Sequence, residues 1–215
     1  MRYTMPSARP HAPRRDRHSR ITPGMIREKV TWMRLTLLVA VAVIAALPLA
    51  LVAADTPLRV VPDVDLTRYA GTWYEIARLP NRFQAKCAGE VVAAYELQSD
   101  GRIVVTNRCR TSTGDVTVAT GIARRVDGRP PSVLEVRFAP AFLSFLPAVW
   151  GDYQIIALGP DYDHAVVGTP DRSYLWVLSR TPRLDADLYR RLLDGAKAQG
   201  FDVAKIVETR QQPLP

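Results

Sequence analysis

The stretch GTWYEIARLPNRF, Gly71 to Phe83, decides how the chain is read. Its first eight residues alternate as a β-strand does, which puts Trp73, Glu75 and Ala77 on one side. A polar loop containing Pro80 follows. A glycine and a tryptophan open the strand, and nothing in it resembles a catalytic signature. The rest of the chain must therefore say what is built around Trp73.

Outward from this strand the same pattern recurs. Strand signals cover Thr72–Leu79, Glu90–Gln98, Arg102–Arg110, Val116–Val126, Val133–Phe138, Tyr153–Leu158, His164–Gly168 and Tyr174–Arg180. Between them lie Asp100-Gly101, Asp127-Gly128, Gly159-Pro160-Asp161 and Thr169-Pro170-Asp171, all strong turn formers. No helical period interrupts the series, so consecutive antiparallel hairpins are the simplest path. Eight such strands can close on themselves and leave no open edge. After them, LDADLYRRLLDGAKAQG carries one apolar stripe, Leu188, Leu192, Leu193 and Ala196. Asp185 is placed to cap this helix and Gly200 to end it. Val203–Val207 reads as one more strand. The expectation is an all-β fold: an eight-stranded antiparallel up-and-down β-barrel with one C-terminal α-helix and a short ninth strand.

Alternation also nominates an inner face. It groups Val91, Ala93 and Tyr95 in the second strand, and Val105 and Asn107 in the third. Leu134, Val136 and Phe138 share a side of the fifth, Tyr153, Ile155 and Ala157 of the sixth, and Tyr174, Trp176, Leu178 and Arg180 of the eighth. Large aromatics beside small residues leave space where branched side chains would fill a solid barrel. The opposite parity is the alternative, because several strands are apolar on both faces.

The net charge of +8 suggests a nucleic-acid partner until its placement is examined. Residues 1–54 hold 9 Lys+Arg against 2 Asp+Glu, and residues 55–215 hold the remaining 20 against 19. The folded part is nearly neutral, so no nucleic acid is expected. Residues 35–54 carry no charge, follow Arg34 and end in Val52-Ala53-Ala54. Residues 33–54 therefore read as a secretory signal peptide, with an uncleaved inner-membrane anchor as the alternative. Residues 1–32 read as a disordered basic segment or as an over-extended start before Met33-Arg34. The chain is expected to be exported, periplasmic or secreted. No cysteine follows the apolar run, so a lipid-bearing N-terminus is not expected near the cut. Both cysteines, Cys87 and Cys109, fall in the exported part, which suits a disulfide.

Catalytic and metal chemistry find little support. His164 is the single histidine after residue 54, and no Ser-His-Asp set, C-x-x-C or H-E-x-x-H is present. No phosphate-cradling glycine motif occurs. No metal, no cofactor and no enzymatic activity are expected. Glu75 is an odd charge for an inner face. It reads as a satisfied structural carboxylate, with a general base as the alternative.

Three segments together carry a family resemblance: GTWYEIAR at 71–78, PDRSYLWVLSR at 170–180 and FDVAKIVETRQQP at 201–213. In this order and spacing the chain resembles the lipocalins, in particular the bacterial lipocalin group related to apolipoprotein D. Residues 55–215 would then form the lipocalin domain. The resemblance implies that Trp73 plugs the closed end, that Arg180 packs across its indole, and that Gly71 allows the close approach. It places the loops Asn81–Gly89, Thr111–Asp115, Ala139–Asp152 and Thr169–Ser173 at the open end. A Cys87–Cys109 bond would tie the first of these loops, curled back, to the wall.

The ligands it implies are fatty acids, lysophospholipids or similar hydrophobic molecules. The expected lining is Ala77, Val91, Ala93, Tyr95, Val105, Asn107, Val136, Phe138, Tyr153, Ile155, Tyr174 and Trp176. Asn107, Tyr95, Tyr153 and Tyr174 are candidates to receive a head group near the mouth, with Arg108 or Arg110 at the rim. The loop containing Phe142, Leu143, Phe145, Leu146 and Trp150 is either a ligand gate or membrane contact, or else a cap folded inward or against another subunit.

Overall fold

The computed structural model describes residues 56–211. The expected signal segment and the basic stretch before it lie outside the described residues.

Nine strands form one antiparallel sheet: β1 (Gly71–Arg78), β2 (Cys87–Leu97), β3 (Ile103–Thr111), β4 (Val116–Arg125), β5 (Val133–Arg137), β6 (Gly151–Leu158), β7 (His164–Gly168), β8 (Leu175–Ser179) and β9 (Val207–Glu208). Strands β2 to β8 pair in sequence order, and β1 pairs with both β8 and β2. That double pairing closes the barrel, while β9 adds to β1 alongside Ala77 and Arg78.

Two helices accompany the barrel. The first, α1 (Leu66–Tyr69), spans four residues, and the Asp65 carboxylate caps it by accepting from the Thr67 and Arg68 amides. The second, α2 (Ala186–Lys197), has Asp185 as its N-cap. Gly200, at φ +92°, turns the chain out of it. Tyr189, Leu192, Leu193 and Ala196 of α2 lie against the outside of the barrel, with Ala77, Ile156, Val166 and Val177.

A second apolar cluster fills the barrel's closed half. It joins Trp73, Tyr95, Ile103, Val105, Ala123, Leu134, Ile155, Val167 and Leu178 with Val64 and Tyr69 from the segment crossing beneath.

Three local readings change. Between Glu75 and Ala77, β1 carries a bulge, so side-chain parity flips there. Ala77 consequently faces α2 rather than the lumen. A bulge between Ile155 and Ala157 does the same to Ala157 in β6. The run after α2 is a 3₁₀ turn over Val203–Lys205, because Val203 and Ile206 pack toward the helix cluster instead of alternating; strand pairing is left to Val207 and Glu208.

Candidate functional site

The two ends of the barrel differ in construction. At the closed end the Trp73 side chain is 0% exposed, and its Nε1 donates to the Tyr69 carbonyl at 2.8 Å. The Arg180 guanidinium lies 3.8 Å from the indole ring centre. From there it donates to the carbonyls of Arg68, Tyr69, Ala70, Thr72 and Tyr162. One planar fork thus satisfies the end of α1 and the start of β1 while facing an aromatic ring, a geometry an ammonium cannot reproduce. Burial pulls the Arg180 pKa down, and the nearby Tyr69 and Tyr95 oppose that. Gly71, at φ +98°, would bring a Cβ to 3.2 Å from Arg180 Nη1.

Around this plug the inner wall is buried, and it opens toward the mouth. Tyr95 stands opposite Gly71, the first residue of β1, and is buried. Tyr95 and Tyr153 therefore belong to the deep half, not near the rim. Val105 and Ile155 are buried at this depth as well. Tyr153 and the next residues toward the mouth, Ala93 and Val136, are only partly buried. Ala93, Asn107 and Ala119 form one row across three strands, and Ala119 is exposed although it shares a face with the core residue Ala123. Phe138 is 45% exposed and lies across Gly121, where a Cβ would come within 2.8 Å of its ring. Val91 is buried beside a β2 bulge, between Gly89 and Val92.

The mouth holds an aromatic ladder that sequence reasoning found only in part. Tyr174 stacks on Trp176, with ring centres 5.9 Å apart, and Phe83 packs on Tyr174 at 5.6 Å. Gln84 accepts from the Trp176 indole N–H at 2.9 Å and donates to Glu75. Glu75 is 3% exposed and also accepts from Arg78 and Thr209. Its oxygens are occupied by three donors from β1, the first loop and the C-terminal segment. That is the wiring of a structural carboxylate rather than of a free base. Gln211 donates to the Glu75 and Val91 carbonyls, so the C-terminal segment bridges β1 and β2 where their own pairing has ended.

Cys87 and Cys109 are joined, with Cα atoms 5.6 Å apart. The loop does not curl back to allow this. Strand β2 begins at Cys87 itself, and its bulges, with Glu90 at φ 51°, bring Cys87 opposite Thr111. Arg108 and Arg110 alternate with Asn107 and Cys109 and so face outward. Arg110 donates to Glu90 and to the Gly114 carbonyl.

The loop between β5 and β6 folds as two 3₁₀ turns, Ala141–Leu143 and Pro147–Val149. Phe142 and Phe145 are 74% and 76% exposed, Leu146 is exposed, and Leu143 is partly buried. Trp150 turns onto the wall, where the Arg124 guanidinium covers its ring at 3.8 Å. Its Nε1 donates to the Ser144 carbonyl and ties the loop down. Among the described residues no group of three or more His, Cys, Asp or Glu converges as a metal would require.

Comparison with known proteins adds a family. The profile described as a lipocalin-like domain matches residues 64–211. Temperature-induced lipocalin-1 of Arabidopsis thaliana is 40% identical over 160 residues, covering 74% of this chain and 85% of the relative. Outer membrane lipoprotein Blc of Escherichia coli K12 is 38% identical over 182 residues, covering 83% of this chain and 98% of the relative. Apolipoprotein D of Mus musculus is 29% identical over 162 residues, covering 71% and 80%. Among solved structures, insecticyanin of the tobacco hornworm Manduca sexta superposes with a TM-score of 0.53 at 18% identity, covering 73% of this chain and 86% of the other. Lobster apocrustacyanin A1 gives 0.53 at 18%, covering 74% and 94%.

Proposed function

This chain belongs to the lipocalin family, and from that premise we propose that it is a carrier, not an enzyme. It takes small hydrophobic molecules such as fatty acids or lysophospholipids through the open end of the barrel and leaves them unaltered. The observation that carries this reading is the row Ala93, Asn107, Ala119. These residues sit on the inner face yet keep accessible surface, while Trp73, which stands opposite Ala93, and Val105, the next inner-face residue of β3 toward the closed end, are buried. An inner wall that stays accessible above a sealed floor suits a cup.

Uptake is driven by desolvation of the guest, at about 0.8 kcal/mol for each methylene buried. Val136, Phe138 and Trp176 supply apolar wall, and Asn107 and Tyr174 supply polar atoms toward the rim. Export to a periplasmic or extracellular space fits the disulfide, since such bonds persist in oxidising compartments. The relatives named outer membrane lipoproteins suggest the cell envelope. Both cysteines of the 215 residues are spent in the disulfide, so neither is available to hold a lipid.

Native mass spectrometry of protein purified from its own envelope tests the proposal, followed by titration of the delipidated protein with palmitate while Trp fluorescence is read. A co-purifying lipid and saturable quenching are expected. No bound lipid and no saturation would sink the carrier.

A second reading adds to the first. Phe83, Phe142 and Phe145 are the most exposed large apolar side chains of the described residues, and all border the mouth. The Arg82 guanidinium lies 5.0 Å from the Phe83 ring centre, and Lys86 follows in the same loop. We propose that this rim touches a lipid surface during loading or unloading.

A further inference from the structure

At the bottom of the cup three tyrosine hydroxyls meet. Tyr69 and Tyr153 are 2.7 Å apart at their oxygens, and Tyr153 donates to Tyr95 at 3.0 Å. Their rings are packed: Tyr69 lies 5.0 Å from Trp73 and 5.7 Å from Tyr95, and Tyr153 meets Tyr95 edge-on at 6.1 Å. The hydroxyls therefore have little freedom to seek other partners.

Proton bookkeeping shows the arrangement to be incomplete. Each phenol brings one proton. Tyr153 spends its own on Tyr95, so the Tyr69–Tyr153 link uses the proton of Tyr69. The O–H of Tyr95 is left over. A closed triangle would satisfy all three groups, but no Tyr69–Tyr95 bond is made, and no other described group bonds to these oxygens. Buried tyrosine hydroxyls normally find partners, and an unmet one is costly. Next toward the mouth on the face of Tyr95 stands Ala93, opposite Trp73 of β1, and the alanine is too small to cover the phenol from the β2 side. Tyr153 is itself only partly buried.

We propose that this open hydroxyl chain is a deep polar subsite that hydrogen-bonds an oxygen at the buried end of the guest. The carrier then favours lipids polar at both ends, such as ω-hydroxy or ω-oxo acyl chains, over plain acyl chains of equal length. A hydroxyl or carbonyl oxygen arriving at the floor accepts the spare proton, whereas a methyl terminus leaves it unmet. Desolvation lifts the Tyr95 pKa to about 12 and those of Tyr69 and Tyr153 well above the ordinary tyrosine value, so the trio stays neutral and able to donate at physiological pH.

This inference rests on the carrier reading, and one experiment separates the two. The delipidated chain is titrated by displacement of a dansylated undecanoic acid, using saturated fatty acids from C8 to C16 and their ω-hydroxy counterparts. Over some window of lengths the ω-hydroxy acid is expected to bind at least as tightly as its parent, although its hydroxyl must leave water. In the double variant Tyr95→Phe with Tyr153→Phe, which keeps both rings and removes both hydroxyls, that ratio is expected to fall about tenfold, whereas either single variant leaves one phenol proton of this pair free and should move it less. If the ω-hydroxyl weakens binding at every length, or the ratio is unmoved in the double variant, the subsite is overturned and the carrier stands. If the parent acids do not bind either, both readings fall.

Discussion

The closed end and the mouth of this barrel are built from the same strands to opposite rules. At the closed end every polar atom of Arg180 is directed at a carbonyl and every face of Trp73 is covered. At the mouth, phenylalanines stand in solvent and the loop residue Gln84 is held to the wall by hydrogen bonds with Trp176 and Glu75. The difference teaches where each end keeps its free energy. The floor satisfies its polar groups and buries its rings, and the rim leaves apolar surface in solvent.

The comparison breaks most directly at Trp73. Trp73→Ala removes the largest fully buried side chain and strands the guanidinium above it. A loss of about 3–5 kcal/mol is expected by urea unfolding. Arg180→Lys should lose much of what a complete truncation loses, because one ammonium cannot serve five carbonyls. A variant at Trp73 as stable as the native protein would show that the floor is not the stabilising end.

Next in size is the disulfide. It spans 22 residues, and chain-entropy reasoning assigns such a loop about 3 kcal/mol. Cys87→Ser with Cys109→Ser should lower the unfolding midpoint accordingly. If the contrast between the ends holds, the loss comes with faster proteolysis near Asn81–Gly89 and not near Trp73. Cleavage by a soluble protease, mapped by mass spectrometry, reads this directly.

The sequence made these two ends legible to different depths. Alternation and turn residues located the strands, and the run containing Trp73 together with the one ending in Arg180 identified the floor. The bulges were not legible, because inserting one residue breaks a period of two without leaving a compositional mark. Ala77 and Ala157 were therefore assigned to the lumen when they serve α2. Tyr69 was missed because α1 is one turn long, too short to show a 3.6-residue period, although Asp65 two residues before Thr67 is a capping signal. Phe83 and Gln84 were missed because loop residues have no period at all. Their roles come from the 3₁₀ turn at Arg82–Gln84, which the Asn81 side chain caps at Gln84 N.

Alkaline pH sharpens the contrast further. The three floor tyrosines have pKa values raised by burial, Tyr95 to about 12. A raised pKa means that the folded state holds its proton more tightly than the unfolded chain. The corresponding stability is complete below about pH 10, the ordinary tyrosine value, and is lost progressively as pH rises toward 12. Unfolding free energy should therefore fall across that range. The slope should be shallower in Tyr95→Phe, which removes one of the linked groups. Absorbance at 295 nm should show the trio ionising together with unfolding rather than before it.

The smallest stability effect is predicted at the rim, and its smallness is the point. Phe142→Ser with Phe145→Ser removes two rings that are about three-quarters exposed, so little packing is lost. The unfolding free energy should stay within about 0.5 kcal/mol of native. What should change is co-sedimentation with vesicles of phosphatidylethanolamine and phosphatidylglycerol, because apolar side chains held in water gain most by entering an interface. Palmitate affinity of the delipidated protein should move less than about twofold, since both rings stand outside the inner wall. Native-like vesicle binding in the double variant would reassign the rim to the cup, and the two ends would then differ only in how tightly they are packed.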